Sequence, residues 1–190
     1  DTAFDSAAHI VRLKWRYPRQ SATPLETYGA IAHFERNPER YTIWSNFQGP
    51  FILQPLMARA LGIPGNRLRL IAAPHSGGSF GIKQGIYPYI VLLAAASRSL
   101  GCPLKWTEDR LEHLSASSSA ADRADEIEAA FDAEGRLSGL RFKNCVNVGA
   151  FVRAPEPASV YRMHAAANGC YGVRNIAVEN RLVTTNKTPI

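Results

Sequence analysis

Alternation of apolar and polar residues runs through much of this chain and predicts most of its strands. The segment AHIVRLKWRY, residues 8–17, alternates with a period of two, which is typical of a strand with one buried face. The same pattern predicts a long hairpin over 125–151 that turns at AEGR. Further strands are predicted, in chain order, over 28–35, 40–46, 66–73, 103–109 and 176–186.

Apolar residues at helical spacing predict two longer helices, over 49–62 and over about 86–100. Gly62 and Gly101 are expected to end them. Because proline has no backbone N–H, Pro55 is expected in a first turn. Weaker helical signals lie at 109–115 and 158–172. Strands and helices do not alternate strictly, so the predicted class is α+β, with a mixed sheet and helices packed on it.

Composition indicates a folded protein of ordinary type. The 190 residues are 46% hydrophobic and 20% charged, which allows one sizeable domain or two small, closely joined ones. The net charge of +6, from 22 basic and 16 acidic residues, is mild and contains no run of five cations. The charge therefore gives little support to a nucleic-acid-binding function.

Cysteine usage and the chain ends add two expectations. Cys102, Cys145 and Cys170 lie far apart without a C-x-x-C pair, which predicts neither a disulfide framework nor a zinc site and favours a reducing, cytoplasmic compartment. The longest apolar run, YIVLLAAA, is too short to span a bilayer. The sequence starts without Met and stops abruptly, so we expect a fragment of a longer chain whose active site is incomplete.

The segment HSGGSFGIKQG, residues 75–85, places four glycines between a predicted strand and a predicted helix. Glycines let a backbone approach a ligand closely, and N–H groups at a helix start attract anions. Lys83 is expected to add a positive charge. The segment matches neither the Walker A motif nor G-x-G-x-x-G. From the residues alone, a plain glycine turn is an equally good interpretation.

Other polar residues are weaker candidates. The amide of Gln48 lies just before a predicted helix, where it can donate to a ligand oxygen, although helix capping is the favoured role. Glu26 is interpreted as a solvated turn residue. His75 and His113 have no partner at metal-ligand spacing, so no metal site is predicted. Ser76 and Ser79 lack a G-x-S-x-G elbow, which argues against a hydrolase.

An ordered series of motifs carries a family resemblance. The series is TPLET, TIWSNFQGP, LGIPGNRLRLIAAPHSGGSFGIK, GCPLKWTEDRLEHL, DAEGRLSGL, NVGAF and VTTNKTP. It resembles the molybdenum-binding large subunit of the xanthine dehydrogenase, aldehyde oxidase and aerobic carbon monoxide dehydrogenase family. The resemblance implies that residues 1–190 are a fragment of the molybdenum cofactor-binding domain of a longer subunit.

The resemblance also implies site residues. Gln48 matches the catalytic glutamine that lies beside the oxo ligand of molybdenum. The family's glycine loop, which passes under the molybdopterin, matches Gly77, Gly78, Ser79, Phe80 and Gly81. Among these, Phe80 and Gly81 are expected to be closest to the cofactor. The family's catalytic base belongs to a glycine-glutamate motif far downstream and is expected beyond Ile190, so neither Glu26 nor Glu108 replaces it.

By resemblance, the function is hydroxylation of an aldehyde, a purine or another N-heterocycle with water as oxygen source. Molybdenum-molybdopterin would bind only in the whole protein, so this fragment is expected to be inactive alone. FAD and 2Fe-2S clusters are implied on partner subunits or domains, and no nucleic-acid or membrane partner is expected. The competing hypothesis is a non-catalytic scaffold whose loop binds phosphate or another anion.

Overall fold

The computed structural model describes residues 2–120, 122–154, 156 and 158–190. These residues form two compact units. Unit 1 contains the chain up to residue 20 and again from residue 120, and unit 2 contains residues 21–119. No helix among the described residues is long and apolar enough to cross a membrane.

The helices and strands follow the predicted order, apart from a short first helix that the sequence pattern did not indicate. The strands are β1 (His9–Tyr17), β2 (Gly29–Arg36), β3 (Glu39–Ser45), β4 (Leu68–Ala72), β5 (Leu104–Thr107), β6 (Arg123–Phe131), β7 (Leu137–Gly149) and β8 (Asn175–Thr184). The helices are α1 (Thr2–Asp5), α2 (Pro50–Ala60), α3 (Tyr87–Leu100), α4 (Arg110–Ala116) and α5 (Ala158–His164). Two 3₁₀ turns lie at Gly65–Arg67 and Ile82–Ile86.

Unit 2 is built on a four-stranded sheet in the order β4-β3-β2-β5. The β3–β4 pair is parallel and the other pairs are antiparallel, so the sheet is mixed. Helices α2 and α3 pack with the sheet around a core that includes Tyr28, Ile43, Met57, Ile86 and Ile90. The predicted α+β class with helices packed on a mixed sheet is confirmed.

Unit 1 contains a second mixed sheet in the order β1-β6-β7-β8. One face carries ion pairs, such as Arg12 Nε to Glu128 Oε1 at 2.5 Å and Lys14 Nζ to Glu126 Oε2 at 3.1 Å. The other face carries apolar residues, including Leu13 and Trp15 on β1. The predicted alternation of polar and apolar residues between the two faces of β1 is therefore confirmed. The expected burial of one face of β1 is wrong. All nine residues of this edge strand are exposed, and Leu13 is 61% exposed.

Helix α2 shows how the two prolines differ. Pro50 lies in the first turn, whereas Pro55 lies inside the helix, so the expected first-turn position of Pro55 is wrong. Without a backbone N–H, Pro55 provides no donor for the carbonyl four residues earlier, at Phe51. The predicted ends are confirmed, since Gly62 has φ +66° just after α2 and Gly101 caps α3 with φ +69°.

Replacing Pro55 by Ala is therefore expected to stabilise the protein. The exposed position tolerates Ala, and the new N–H completes the helix ladder. We expect a gain of about 1–3 kcal/mol in the free energy of unfolding, measured by urea titration. Pro50→Ala is the matched control and should change stability by less than about 0.5 kcal/mol, because the first helical residue has no intrahelical acceptor for its N–H. Equal effects of the two substitutions would contradict this account.

Candidate functional site

Gln48 lies in the short connection between β3 and α2, and hydrogen bonds of Gln48 and of nearby Asn46 fix this connection. Its N–H donates to the carbonyl of Lys83 at 3.4 Å. Two residues earlier, the Asn46 side chain donates to the Thr27 carbonyl at 2.7 Å and accepts from the Gly29 N–H at 3.1 Å. These bonds tie the end of β3 both to the segment before β2 and to the residues that follow the glycine loop.

The side-chain amide of Gln48 has a defined orientation. Its Oε1 accepts hydrogen bonds from the Ser79 hydroxyl and, at 3.2 Å, from the Gly81 N–H. The Nε2 group is consequently the end left to donate, and no described residue accepts from it. The favoured capping role is wrong, because the N-cap of α2 is Gly49 with φ +68° and no side-chain cap bond.

The glycine loop is shaped by close approach and by positive φ angles. A Cβ at Gly77 would lie 2.6 Å from the Glu26 Cβ, so only glycine fits there without movement. Phe80 has φ +54° and Gly81 has φ +96°, a left-handed conformation that is unfavourable for a bulky residue such as phenylalanine. Phe80 is also 77% exposed, so its ring gains little from the protein interior.

Backbone N–H groups of the loop fall into two sets. Those of Gly77, Gly81, Ile82 and Lys83 donate to protein acceptors: the Glu26 carboxylate, the Gln48 amide oxygen, the Ser79 carbonyl and the Ser79 hydroxyl, respectively. Three consecutive N–H groups, at residues 78–80, have no acceptor among the described residues. The loop is followed by the 3₁₀ turn Ile82–Ile86, which leads directly into α3 at Tyr87.

Lys83 does not offer its charge to a ligand, contrary to the sequence-based expectation. Its side chain is fully buried, and the ammonium forms an ion pair with the Glu26 carboxylate. Glu26 is therefore not a solvated turn residue, although its side chain remains 37% exposed. Desolvation raises the pKa of Glu26, but hydrogen bonds from Lys83, Asn46 and Gly77 outweigh it and leave this pKa below its ordinary value.

A histidine–glutamate pair with both side chains buried also lies in unit 2. His113 is fully buried, consistent with an ordinary core histidine, and its Nδ1 lies 2.6 Å from Glu108 Oε2. The same carboxylate accepts from the Tyr28 N–H at 3.0 Å, and the Tyr28 hydroxyl donates to the Ile82 carbonyl at 2.5 Å. Sequence reasoning missed Tyr28 and Asn46 as supports, because their partners lie 17 to 80 residues away.

Each of the two units contains a cavity that could be compared with the predicted site. One of about 380 Å³ lies in unit 2, on the face of the sheet that includes Ile31, Trp44 and Ile71, and Glu26 forms part of its wall. A larger one of about 580 Å³ lies in unit 1 and is lined by none of the predicted site residues. Among the described residues, no group of His, Cys, Asp and Glu has the arrangement of a metal site.

Comparison with known proteins gives one consistent picture. A family model described as the molybdopterin cofactor-binding domain matches residues 1–190. The gamma subunit of the 6-hydroxypseudooxynicotine dehydrogenase complex from Paenarthrobacter nicotinovorans is 34% identical over all of this chain and 24% of its own length. The carbon monoxide dehydrogenase large chain of Hydrogenophaga pseudoflava is 33% identical, with the same coverage.

A solved structure agrees with these relatives. Quinoline 2-oxidoreductase from Pseudomonas putida 86 superimposes with a TM-score of 0.87 and 32% identity, over all of this chain and 24% of the other. The chain thus spans about a quarter of the length of these relatives.

The close approach at Gly77 leads to a stability prediction. Gly77→Ala should lower the free energy of unfolding by about 1–3 kcal/mol, because the new methyl group meets the Cβ and backbone of Glu26 rather than a flexible tip. Urea titration measures the change. Gly29→Ala is the matched control in the same unit, since nothing lies within 4 Å of its added Cβ and its φ is not positive. A Gly77 variant as stable as the Gly29 variant would refute the packing argument.

Acidification should test the Glu26–Lys83 pair. Since the pKa of Glu26 is lowered by folding, its ionised form stabilises the protein above its ordinary value of 4.5, and this contribution is lost as pH falls through the lowered pKa. Glu26→Gln should therefore be less stable than wild type at pH 7. The difference should shrink as urea titrations are repeated below pH 4.5. A difference that is independent of pH would count against the ion pair.

Proposed function

Because the chain belongs to the molybdopterin cofactor-binding domain family, we propose that it forms part of the molybdopterin site in the large subunit of a molybdenum hydroxylase. Its residues 1–190 would then be a segment of that domain in a longer polypeptide. The length of the relatives supports this proposal, since the chain matches 24% of each of them.

One observation carries the proposal: four hydrogen-bond donor groups that lie together at the glycine loop have no protein acceptor. They are the Nε2 of Gln48 and the N–H groups of residues 78–80, as judged over the described part of the chain. Such donors suit the oxygen and phosphate acceptors of a molybdopterin. Nothing lies within 4 Å of a Cβ added to Gly81, so the loop also leaves space beside the donors.

Each residue of the proposed site has a distinct task. Gln48 is the proposed catalytic residue and would donate from Nε2 to the cofactor, its orientation fixed by Ser79 and Gly81. Gly78, Ser79 and Phe80 would bind the cofactor through their N–H groups, and Phe80 would also contact it with its exposed ring. Gly77 would contribute through its small size, because its N–H already donates to Glu26.

The proposed reaction is oxidation of an aldehyde, a purine or another N-heterocycle, with water supplying the oxygen. The bound molybdenum group would supply the two-electron chemistry, while this chain positions the group and keeps its surroundings rich in donors. Resemblance to quinoline 2-oxidoreductase along the whole chain supports the N-heterocycle option. Electrons would pass to 2Fe-2S and FAD groups on partner subunits or domains.

Isolated residues 1–190 are proposed to be inactive, with the catalytic base on the remainder of the longer subunit. A reducing, cytoplasmic compartment is part of the same proposal. The competing scaffold function was motivated by the mild positive net charge and by Lys83 in the loop. The burial of the Lys83 side chain against Glu26 removes the second of these supports.

The role of Gln48 can be tested in the full-length enzyme purified with its partners. Gln48→Ala should lower kcat about 10²- to 10³-fold, because one preorganised donor to the reacting group is lost. Molybdenum content should stay within twofold of wild type, since the loop N–H groups remain. Gln54→Ala is the matched control and should leave kcat unchanged, because its amide donates to the Gly65 carbonyl away from the loop.

Two results would refute the assignment. A wild-type enzyme without bound molybdenum and without activity on aldehydes or N-heterocycles would remove the proposed function. A Gln48 variant with the same kcat as the Gln54 variant would remove the role of this residue alone.

A further inference from the structure

The buried ammonium of Lys83 requires its acidic partner. The Lys83 side chain has no exposed surface, and Glu26 is the carboxylate that forms an ion pair with it. An unpaired buried charge is strongly destabilising, so removal of one partner costs far more than removal of both. The position of Lys83 is thus coupled to that of Glu26, which lies 57 residues earlier in the chain.

Glu26 also holds the opposite end of the glycine loop. The same oxygen, Oε2, accepts from the Gly77 N–H at 3.0 Å and lies 3.4 Å from the Ser76 hydroxyl. Gly77 packs so closely against Glu26 that a Cβ would not fit. A single carboxylate therefore joins the first and last residues of the segment 76–83.

The backbone of Lys83 transmits this constraint to Gln48. Its carbonyl accepts from the Gln48 N–H at 3.4 Å, and its N–H donates to the Ser79 hydroxyl at 3.2 Å. That hydroxyl in turn donates to Gln48 Oε1. A displacement of Lys83 would move both the main chain of Gln48 and the group that orients its amide.

We propose that Glu26 is a positioning residue for this site: its carboxylate closes the loop and thereby fixes the donor end of the Gln48 amide toward the cofactor. The inference rests on the proposed function only for the cofactor contact. The closing of the loop by Glu26 concerns the protein alone and can be measured without activity.

The purely structural alternative is that the pair only contributes to folding stability. Two variants separate the alternatives. Glu26→Met leaves the Lys83 ammonium unpaired, whereas Glu26→Met combined with Lys83→Met removes both charges and should recover thermal stability. Neither variant provides an acceptor for the Gly77 N–H. Met57→Ala, a substitution in the core of unit 2 away from the loop, serves as the control for destabilisation.

The experiment uses the full-length enzyme and four readouts: the melting temperature, hydrogen exchange of peptides that cover 76–83, kcat against KM, and molybdenum content. In the double variant we expect exchange of these loop peptides to accelerate at least about tenfold. We also expect kcat to fall about 10- to 100-fold with little change in KM, even though the melting temperature recovers. Met57→Ala should lower the melting temperature without either effect.

The inference would be overturned if the double variant recovered kcat and protection of the loop amides along with its melting temperature. Folding stability alone would then explain the role of Glu26. Slow exchange at 76–83 in both Glu26 variants would overturn it as well. If the wild-type enzyme held no molybdenum, the proposed function would fail and the cofactor-directed half of the inference with it. The exchange result would still decide whether Glu26 closes the loop.

Discussion

The buried ammonium of Lys83 is the constraint on which the geometry of the loop depends. A lysine without solvent contact is tolerated only with a compensating carboxylate, and Glu26 provides it. Because Glu26 precedes β2 and Lys83 follows β4, the ion pair fastens the glycine loop to a distant part of unit 2. The same carboxylate accepts from Gly77, so the loop is fixed at both ends by one side chain.

This arrangement separates positive charge from hydrogen-bond donors. The lysine charge is neutralised within the protein. The donors at residues 78–80 and at Gln48 that lack protein acceptors in the described chain are neutral: three backbone N–H groups and the side-chain amide. An exposed ammonium attracts many anions, whereas fixed neutral donors favour a group whose acceptors match their positions. The loop is therefore better suited to a shaped cofactor than to simple phosphate.

Sequence patterns predicted the helices and strands better than they predicted which residues of those elements are buried. The alternation in 8–17 correctly gave β1, but alternation reports which residues share a face and not what covers that face, so the exposure of Leu13 was missed. Helical spacing likewise located α2, but the position of Pro55 inside that helix was missed. The glycine loop and Gln48 could be located because their motifs are local in sequence.

The supports of the loop could not be predicted in the same way. Two contacts support the loop across long stretches of sequence. Gln48 and Ser79 are 31 positions apart, and Glu26 and Lys83, whose pairing accompanies the burial of Lys83, are 57 positions apart. No periodicity encodes such pairs, because they depend on how strands and loops come together in three dimensions.

The conformation and exposure of Phe80 favour a ligand-binding loop over a plain glycine turn. A turn selected only for folding would place glycine or asparagine at a left-handed position, where a bulky residue costs about 1–2 kcal/mol. Here phenylalanine has φ +54° and exposes 77% of its surface, so the fold gains neither relaxed backbone nor buried apolar area from it. The Phe80 ring packs against Gly78, since a Cβ added to Gly78 would lie 3.0 Å from the Cε2 atom of the ring. Backbone strain and an exposed ring at one residue are explained together if a bound group covers that ring, which supports the proposed cofactor contact.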